Sequence, residues 1–244
     1  MTRGPRVAVV VFPGTWSERD FAHVAALIGW DARLLWHAEP ELGDVDAVVL
    51  PGGFAHGDHL RTGAIARFSP VMTAVGAFAA RGGPVLGSCN GFQILCEAGL
   101  LPGVLLRSDH LEFRCDWQWL RVERAAGAWL APDELQGGDL IQLPISHGEG
   151  RYYADADVLA DLERSGRVVL RYADADGSVT PDANPNGSLN GIAGIVNERG
   201  NILGLMPHPE RAAEAEVGGT DGLRVLRSLE RWLVAQPAVA ERRL

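Results

Sequence analysis

A cysteine held between glycines is the strongest chemical signal in this sequence. The pentapeptide GSCNG at residues 87–91 lies between a short apolar run at 84–87 and a helical pattern that begins at residue 90. A turn of this kind between a strand and a helix exposes a nucleophile in strained backbone geometry, and its glycines remove side chains that would clash. A helix N-terminus and a cationic histidine would both favour the reactive thiolate. We therefore predict that Cys89 is a nucleophile, and we assign Cys96 the commoner role of a small core residue.

A thiol nucleophile needs a base, and His208 is the best candidate among seven histidines. It follows the apolar run at 202–206, at the carboxyl end of a predicted strand, where α/β sheets place their sites. Glu210 is two residues away, so both side chains can project to one side of an extended segment. The pair reads as a base with its orienting carboxylate; the alternative is a turn histidine beside a solvated glutamate.

Three other segments carry weaker signals. Pro-Gly-Gly at 51–53 follows the apolar run at 46–50, and the N–H groups of Gly53 and Asn90 could form an oxyanion hole, although this tripeptide is also an ordinary turn. His147 ends another apolar run, and we expect it to line the same pocket. His-Gly-Asp-His at 56–59 resembles metal ligands, but the spacing suggests no further ligand. We favour a polar loop there and predict no metal.

Alternating apolar runs and helical patterns predict the layers that position these residues. We predict strands at residues 6–12, 32–36, 46–50, 84–87, 140–145, 167–172, 192–196 and 202–206, and helices at 18–28, 90–100, 155–164 and 221–234, with Ser17 and Gly99 as caps. Residues 64–81 are helical in pattern, and Pro70 either starts a fresh helix or interrupts a longer one. Such alternation is typical of a doubly wound α/β fold.

Composition excludes several classes of function. All 22 basic residues are arginine, so a Walker A loop, a Schiff base and pyridoxal phosphate attachment are all ruled out. A net charge of −9 without basic clusters argues against nucleic acid and membrane partners. Three cysteines and no leader pattern predict a cytoplasmic protein. Without repeats or linkers, one domain over residues 1–244 is the simplest organisation.

Five segments together resemble a known family. The chain is similar to the glutaminase subunits of phosphoribosylformylglycinamidine synthase, which are class I, triad-type glutamine amidotransferases of purine biosynthesis. The matching segments are PGGFAHGDHLRTGA (51–64), GSCNGFQILCEAGLLPG (87–103), FRCDWQWLRVE (113–123), ISHGEGRY (145–152) and NPNGSLNGIAGIVNERGNILGLMPHPERA (184–212). The resemblance implies a flavodoxin-like, three-layer α/β fold: a doubly wound, mostly parallel sheet with helices on both faces. The matched core is 6–212, and a terminal helix and tail occupy 213–244.

The resemblance also implies a role for each site residue. Cys89 would attack the side-chain amide of glutamine to form a γ-glutamyl thioester, His208 would relay the proton to departing ammonia, and Glu210 would orient His208. Gly53 and Asn90 would supply oxyanion N–H groups. The glutamine-binding residues would be Gln93, Ser146, His147 and Gly148.

The family's division of labour implies the partners. This chain would bind no cofactor, while ATP and magnesium would belong to a synthetase subunit, with room for an additional small subunit. Small departures are Ser88, where the family carries an aliphatic residue, Ser108 for asparagine and His59 for an aromatic residue. Two other functions stay open: a stand-alone cysteine amidase or hydrolase, and a non-catalytic regulatory module of the same fold.

Overall fold

A nine-stranded sheet forms the centre of the computed structural model, which describes residues 4–235. The predicted tail at 236–244 lies outside the described residues. The strands are β1 Arg6–Val11, β2 Asp31–Trp36, β3 Ala47–Leu50, β4 Val85–Ser88, β5 Val104–Leu106, β6 Arg114–Val122, β7 Leu140–His147, β8 Arg151–Tyr153, β9 Val168–Ala173, β10 Ile192–Val196 and β11 Ile202–Leu205.

The order of the strands across the main sheet is β2-β1-β3-β4-β11-β10-β9-β6-β7. Strands β5 and β8 pair separately as a two-stranded ribbon.

The sheet changes character halfway across. From β2 to β11 every neighbouring pair is parallel, with β4 between β3 and β11. From β11 to β7 every pair is antiparallel. Only β6 and β10 therefore run against the other strands, so β3, β4, β7 and β11 all end at one edge. Open α/β sheets bind their ligands at this carboxyl edge.

Helices cover both faces of the sheet, as the sequence predicted. The helices are α1 Glu18–Leu27, α2 Pro70–Ala80, α3 Asn90–Glu97, α4 Ala156–Arg164 and α5 Asp221–Ala235. Helices α1 and α5 pack on one face through residues such as Phe21, Val24 and Leu229. Helices α2, α3 and α4 contribute Val71, Ile94 and other side chains to a second core on the opposite face. Burial of each such aliphatic side chain contributes roughly 1.5–3 kcal/mol to the free energy of folding.

The predicted strands and helices are present, but some of their bounds differ and two features of the sheet were missed. Pro70 starts a fresh helix at its first position, which resolves the two alternatives for residues 64–81. The longest strand, β6, was missed, as was the ribbon of β5 and β8. The helix predicted at 90–100 ends at Glu97, and Gly99 follows with the positive φ of +68° that suits a C-terminal cap. Ser17 precedes α1, but its side chain does not cap the helix.

Within residues 4–235, no helix is both long enough and apolar enough to cross a membrane.

Candidate active site

Cys89 occupies a strained turn at the end of β4. Its backbone has φ 51° and ψ −108°, outside the regions that non-glycine residues commonly adopt. The residue is buried, its N–H donates to the carbonyl of Leu205 at 2.8 Å, and its Sγ lies 3.8 Å from the carbonyl oxygen of Ser146. The turn therefore holds the sulfur between the ends of β11 and β7.

Both glycines of the pentapeptide are required by close contacts. A Cβ on Gly91 would lie 1.9 Å from the carbonyl oxygen of Leu50, and one on Gly87 would lie 2.7 Å from the backbone of Gly91. These neighbours are backbone atoms, so the clash could not be relieved by a side-chain rotation. The glycines allow α3 to begin directly above the strand ends.

His208 and Glu210 meet on the segment that follows β11. Nδ1 of His208 lies 2.6 Å from Oε1 of Glu210, and both side chains are fully buried. The sequence predicted that an extended segment would bring the two side chains to one side. Residues 209–211 instead form a single 3-10 turn, and this turn brings them together. His208 itself is extended, and its N–H donates to the carbonyl of Pro144 in β7 at 2.8 Å.

The electrostatics of this pair favour a charged imidazole. Burial lowers the pKa of His208, but the Glu210 carboxylate and then the Cys89 sulfur outweigh it and raise the pKa to about 10. Nε2 of the ring has no hydrogen-bond partner among the described residues, and it is the nitrogen left to serve the thiol. This arrangement is the one that the predicted roles of nucleophile, base and orienting carboxylate require.

The loop after β3 packs directly against the histidine. A Cβ on Gly52 would lie 2.6 Å from Cε1 of His208. The N–H of Gly52 donates to the hydroxyl of Ser17 at 2.8 Å, which explains why Ser17 does not cap α1. Trp16 also packs against the imidazole, with ring centroids 5.6 Å apart. Both contacts restrict the position of the ring.

The predicted oxyanion donors are both available. Gly53 lines the cavity that contains Cys89, and Asn90 opens α3 directly after the nucleophile. Within residues 4–235, neither backbone N–H donates to another protein group. A Cβ on Gly53 would lie 2.6 Å from Cα of Thr15, so no larger residue fits beside that strand end.

A cavity of about 300 Å³ contains the nucleophile and gathers the remaining predicted residues. The predicted glutamine-binding residues all line it, namely Gln93, Ser146, His147 and Gly148. A larger cavity of about 640 Å³ lies at the opposite edge of the sheet, where β9 and β11 begin, and it holds none of the predicted site residues. We therefore place the site in the smaller cavity.

Amide side chains tie the walls of this cavity together. Asn90 accepts the N–H of Ala55 at 3.1 Å through Oδ1, and its Nδ2 donates to Oε1 of Gln93 at 2.8 Å. Gln93 in turn donates to the carbonyl of Glu149 at 2.6 Å. Hydrogen bonds thus connect the segments that follow β3, β4 and β7. The contact of Gln93 with glutamine stays a prediction.

A buried network behind the cavity fixes the state of His147. Asn186 donates to Nε2 of His147 at 3.0 Å and to the carbonyl of Gly150 at 2.9 Å, while its oxygen accepts the N–H of Ser188 at 3.0 Å. Nε2 is therefore an acceptor and the proton sits on Nδ1. Burial, and then the electrostatic influence of His208 and His110, lower the pKa of His147 to about 3. His147 is a neutral wall residue, and Asn186 and Ser188 are site-supporting residues that sequence reasoning missed.

The cavity also carries charges that the sequence did not single out. Asp58 lines it, and burial, followed by the charge of Glu149, raises the pKa of Asp58 to about 6. His56, Gly57 and Asp58 all have positive φ, so the loop proposed as polar is also strained. Glu149 and Arg107 line the same cavity, and Arg107 pairs with no carboxylate in the described part of the chain.

The other two cysteines differ in their exposure. Cys96 is buried in α3, as predicted, whereas Cys115 is exposed on β6. Among residues 4–235, no three histidine, cysteine or acidic side chains gather as a metal site.

Comparisons with known proteins agree with this geometry. Residues 4–218 match the CobB/CobQ-like glutamine amidotransferase domain family. The chain is 56% identical to phosphoribosylformylglycinamidine synthase subunit PurQ of Thermomicrobium roseum, over 92% of this chain and 94% of the relative. It is 55% identical to the PurQ subunit of Thermosynechococcus vestitus, over 94% and 97%.

A solved structure supports the same assignment. The structure of PurLQS from Thermotoga maritima contains a chain that is 40% identical and superimposes with a TM-score of 0.83, over 94% of this chain and 99% of that one. The chain therefore belongs to the CobB/CobQ-like glutamine amidotransferase family and, within it, to the PurQ subunits of phosphoribosylformylglycinamidine synthase.

Proposed function

We propose that this chain is a glutaminase subunit that hydrolyses glutamine to glutamate and ammonia through a thioester on Cys89. The ammonia passes to a synthetase subunit for the ATP-dependent conversion of formylglycinamide ribonucleotide to formylglycinamidine ribonucleotide in purine biosynthesis. The observation that carries this proposal is the convergence of a strained cysteine, a buried histidine and a buried glutamate at one sheet edge.

The chemistry follows from the protonation states. The Cys89 sulfur attacks the side-chain amide carbon of glutamine, and the N–H groups of Gly53 and Asn90 stabilise the oxyanion. An amide nitrogen leaves badly as an anion, so His208, held as imidazolium by Glu210, protonates it as the C–N bond breaks. Neutral His208 then takes a proton from water, which attacks the thioester and releases glutamate and the thiol. One water is consumed and one ammonia is released.

The charges of the cavity suit a free amino acid. Glutamine carries an α-ammonium and an α-carboxylate in addition to its amide. Asp58 and Glu149 provide negative charge on the cavity wall, and Arg107 provides a guanidinium that has no carboxylate partner among the described residues. We assign the acidic pair to the ammonium and Arg107 to the carboxylate, because charge-assisted hydrogen bonds select both ends of a zwitterion.

The mouth of the cavity suits a protein partner. Phe54, Leu111 and Phe113 line it and are 47%, 64% and 54% exposed, and nearby Leu60 is 92% exposed. Exposed apolar residues grouped in this way are typical of an interaction surface. A synthetase subunit docked here would receive ammonia directly. We place ATP and magnesium on that subunit, allow for an additional small subunit in the assembly, and propose a cytoplasmic location.

The two other functions are less well supported. A stand-alone amidase would not need an apolar rim around its active site. A non-catalytic regulatory module would not need the buried His208–Glu210 pair at 2.6 Å. Removing two charged groups from water carries a desolvation penalty, and a catalytic role explains why the pair is nevertheless present. A stand-alone amidase would hydrolyse glutamine at the same rate with and without the synthetase subunit. A non-catalytic module would have a Cys89 that does not react with glutamine analogues.

The central experiment separates glutamine use from ammonia use. In a complex reconstituted with the synthetase subunit, Cys89→Ala is expected to abolish glutamine-dependent synthesis and to preserve synthesis from added ammonia. Cys115→Ala, which removes the exposed thiol on β6, is the matched control and should preserve both. Loss of both activities in a folded Cys89→Ala complex would contradict the division of labour.

A labelling experiment tests the site directly. A glutamine-analogue alkylator is expected to modify Cys89 and to spare Cys115 despite the exposure of the latter. Peptide mass spectrometry locates the label, and repeating the reaction with the synthetase and its ligands measures the acceleration expected of a subunit. Equal labelling of both thiols would show that the cavity does not recognise glutamine.

A further inference from the structure

Ser88 is the last residue of β4, and its hydroxyl contacts the segment that carries the base. The residue is fully buried, and Oγ lies 3.2 Å from Oε2 of Glu210, 3.3 Å from the carbonyl of Pro207 and 3.5 Å from Nδ1 of His208. Pairing of β4 with β11, in which Ser88 lies opposite Leu205, places the hydroxyl there. None of the roles assigned above uses this group.

The single proton of the hydroxyl has one preferred acceptor. Nδ1 of His208 already donates to Oε1 of Glu210 at 2.6 Å, so it does not accept from Ser88. The remaining acceptors are the Pro207 carbonyl and Oε2 of Glu210 at nearly equal distances. A hydrogen bond to a carboxylate is about twice as strong as one to a neutral carbonyl. The hydroxyl therefore donates to Glu210.

The carboxylate needs this donor. The Glu210 side chain is fully buried, and within residues 4–235 Ser88 is the sole hydrogen-bond donor to its Oε2. Nδ1 of His208 holds only Oε1, so loss of the hydroxyl would leave Oε2 buried without a hydrogen-bond donor. The carboxylate would then shift away from its position and stabilise the His208 imidazolium less, so the state of the base depends on the hydroxyl.

We propose that Ser88 is a positioning residue whose hydroxyl holds the Glu210 carboxylate in place and aimed at His208. The inference rests on the proposed glutaminase function. Two adjacent residues of one turn then serve both ends of the triad, since Cys89 supplies the nucleophile and Ser88 holds the carboxylate. The aliphatic residue expected at this position from the family resemblance would leave Oε2 without the donor.

The test compares Ser88→Thr with Ser88→Val in the complex with the synthetase. The two side chains have nearly the same shape, both suit a strand, and only threonine keeps the hydroxyl. We expect kcat/KM for glutamine hydrolysis to stay within about threefold of wild type in Ser88→Thr. In Ser88→Val it should fall about tenfold, because one hydrogen bond to a charged group is lost. The alkaline limb of the pH profile should move to lower pH in Ser88→Val alone, because a displaced Glu210 carboxylate raises the pKa of His208 less.

Controls separate this role from packing. Ser228→Ala removes another fully buried hydroxyl, bonded at 2.8 Å to the carbonyl of Arg224 in α5, and should change neither quantity. Equal rates and equal alkaline limbs for Ser88→Thr and Ser88→Val would overturn the proposal, and so would a slower Ser88→Val variant whose alkaline limb does not move. Ser88→Ala, which adds no volume, repeats the comparison if valine lowers the melting temperature.

Failure of the proposed function gives a different result. In that case the wild-type complex would hydrolyse no glutamine. If only the present inference fails, wild type hydrolyses glutamine in a Cys89-dependent reaction and the threonine and valine variants behave alike.

Discussion

Glu210→Gln tests whether the carboxylate acts through its charge. The substitution keeps an acceptor 2.6 Å from Nδ1 of His208 but makes it neutral. Hydrogen bonds to charged groups contribute roughly 1.5–3 kcal/mol and neutral ones about 1 kcal/mol, and here both side chains are fully buried, so solvent does not weaken the difference. A loss of about 1–2 kcal/mol in the transition state corresponds to a decrease of about 5- to 30-fold in kcat/KM. His208→Ala, which removes the base itself, should lower the rate further.

The sign of the pH effect follows from the pKa of His208. In the folded protein this pKa is raised from 6.5 to about 10, so imidazolium persists as the pH rises and is lost only near the upper value. The corresponding stability contribution is complete below pH 6.5 and disappears as the pH approaches 10. In Glu210→Gln the negative charge that raises the pKa of His208 is absent, so the effect of burial lowers this pKa. The alkaline limb of kcat therefore moves to lower pH.

Steady-state glutamine hydrolysis by the reconstituted complex across the pH range measures both effects. The matched control is Glu214→Gln, because Glu214 also accepts from a histidine, His23, at 2.8 Å but at the protein surface. A surface pair of this kind contributes little, so the control should keep the wild-type rate and profile. A Glu210→Gln enzyme within twofold of wild type, with the same alkaline limb, would refute the reasoning.

Two further substitutions test the cavity and the loop that supports the base. Asp58→Asn should raise KM for glutamine with little change in kcat, and the rise of the wild-type KM as the pH falls through about 6, where Asp58 takes up a proton, should disappear in the variant. An unchanged KM would remove Asp58 from substrate binding. Gly52→Ala places a methyl group 2.6 Å from Cε1 of His208, so we expect about 1–3 kcal/mol of destabilisation by thermal melting and a lower kcat. Gly76→Ala, whose methyl group would meet only Leu100 at 3.9 Å, is its control, and equal melting temperatures would contradict the predicted clash.

The parallel half of the sheet was readable from sequence because its strands are covered on both faces. β1, β3 and β11 are continuous apolar runs with fully or largely buried residues. Strand β6 was missed because its first residues are exposed and charged or aromatic side chains interrupt any apolar run. The antiparallel pairing of β9, β6 and β7 likewise leaves no local signature, since it depends on contacts between distant segments.

The candidate site was predicted where spacing carries the chemistry and missed where tertiary contacts decide. Cys89, His208 and Glu210 follow from local motifs at strand ends. Ser17 was misassigned because a buried N–H of Gly52 competes for its hydroxyl, which no local pattern reveals. Asp58 was considered only as a metal ligand or a loop residue, and its proximity to Glu149 appears only in the folded chain.

The position of β4 between β3 and β11 has a consequence for biosynthesis. Cys89 is translated before the strand that accepts its N–H and before His208, which both follow more than one hundred residues later. On the ribosome, the first half of the polypeptide can form its parallel strands, yet it has an unpaired edge along β4 until β11 emerges and inserts. A nascent chain that lacks β11 therefore has the Cys89 thiol without His208, so the site can be assembled only after the segment at 202–208 has folded against β4.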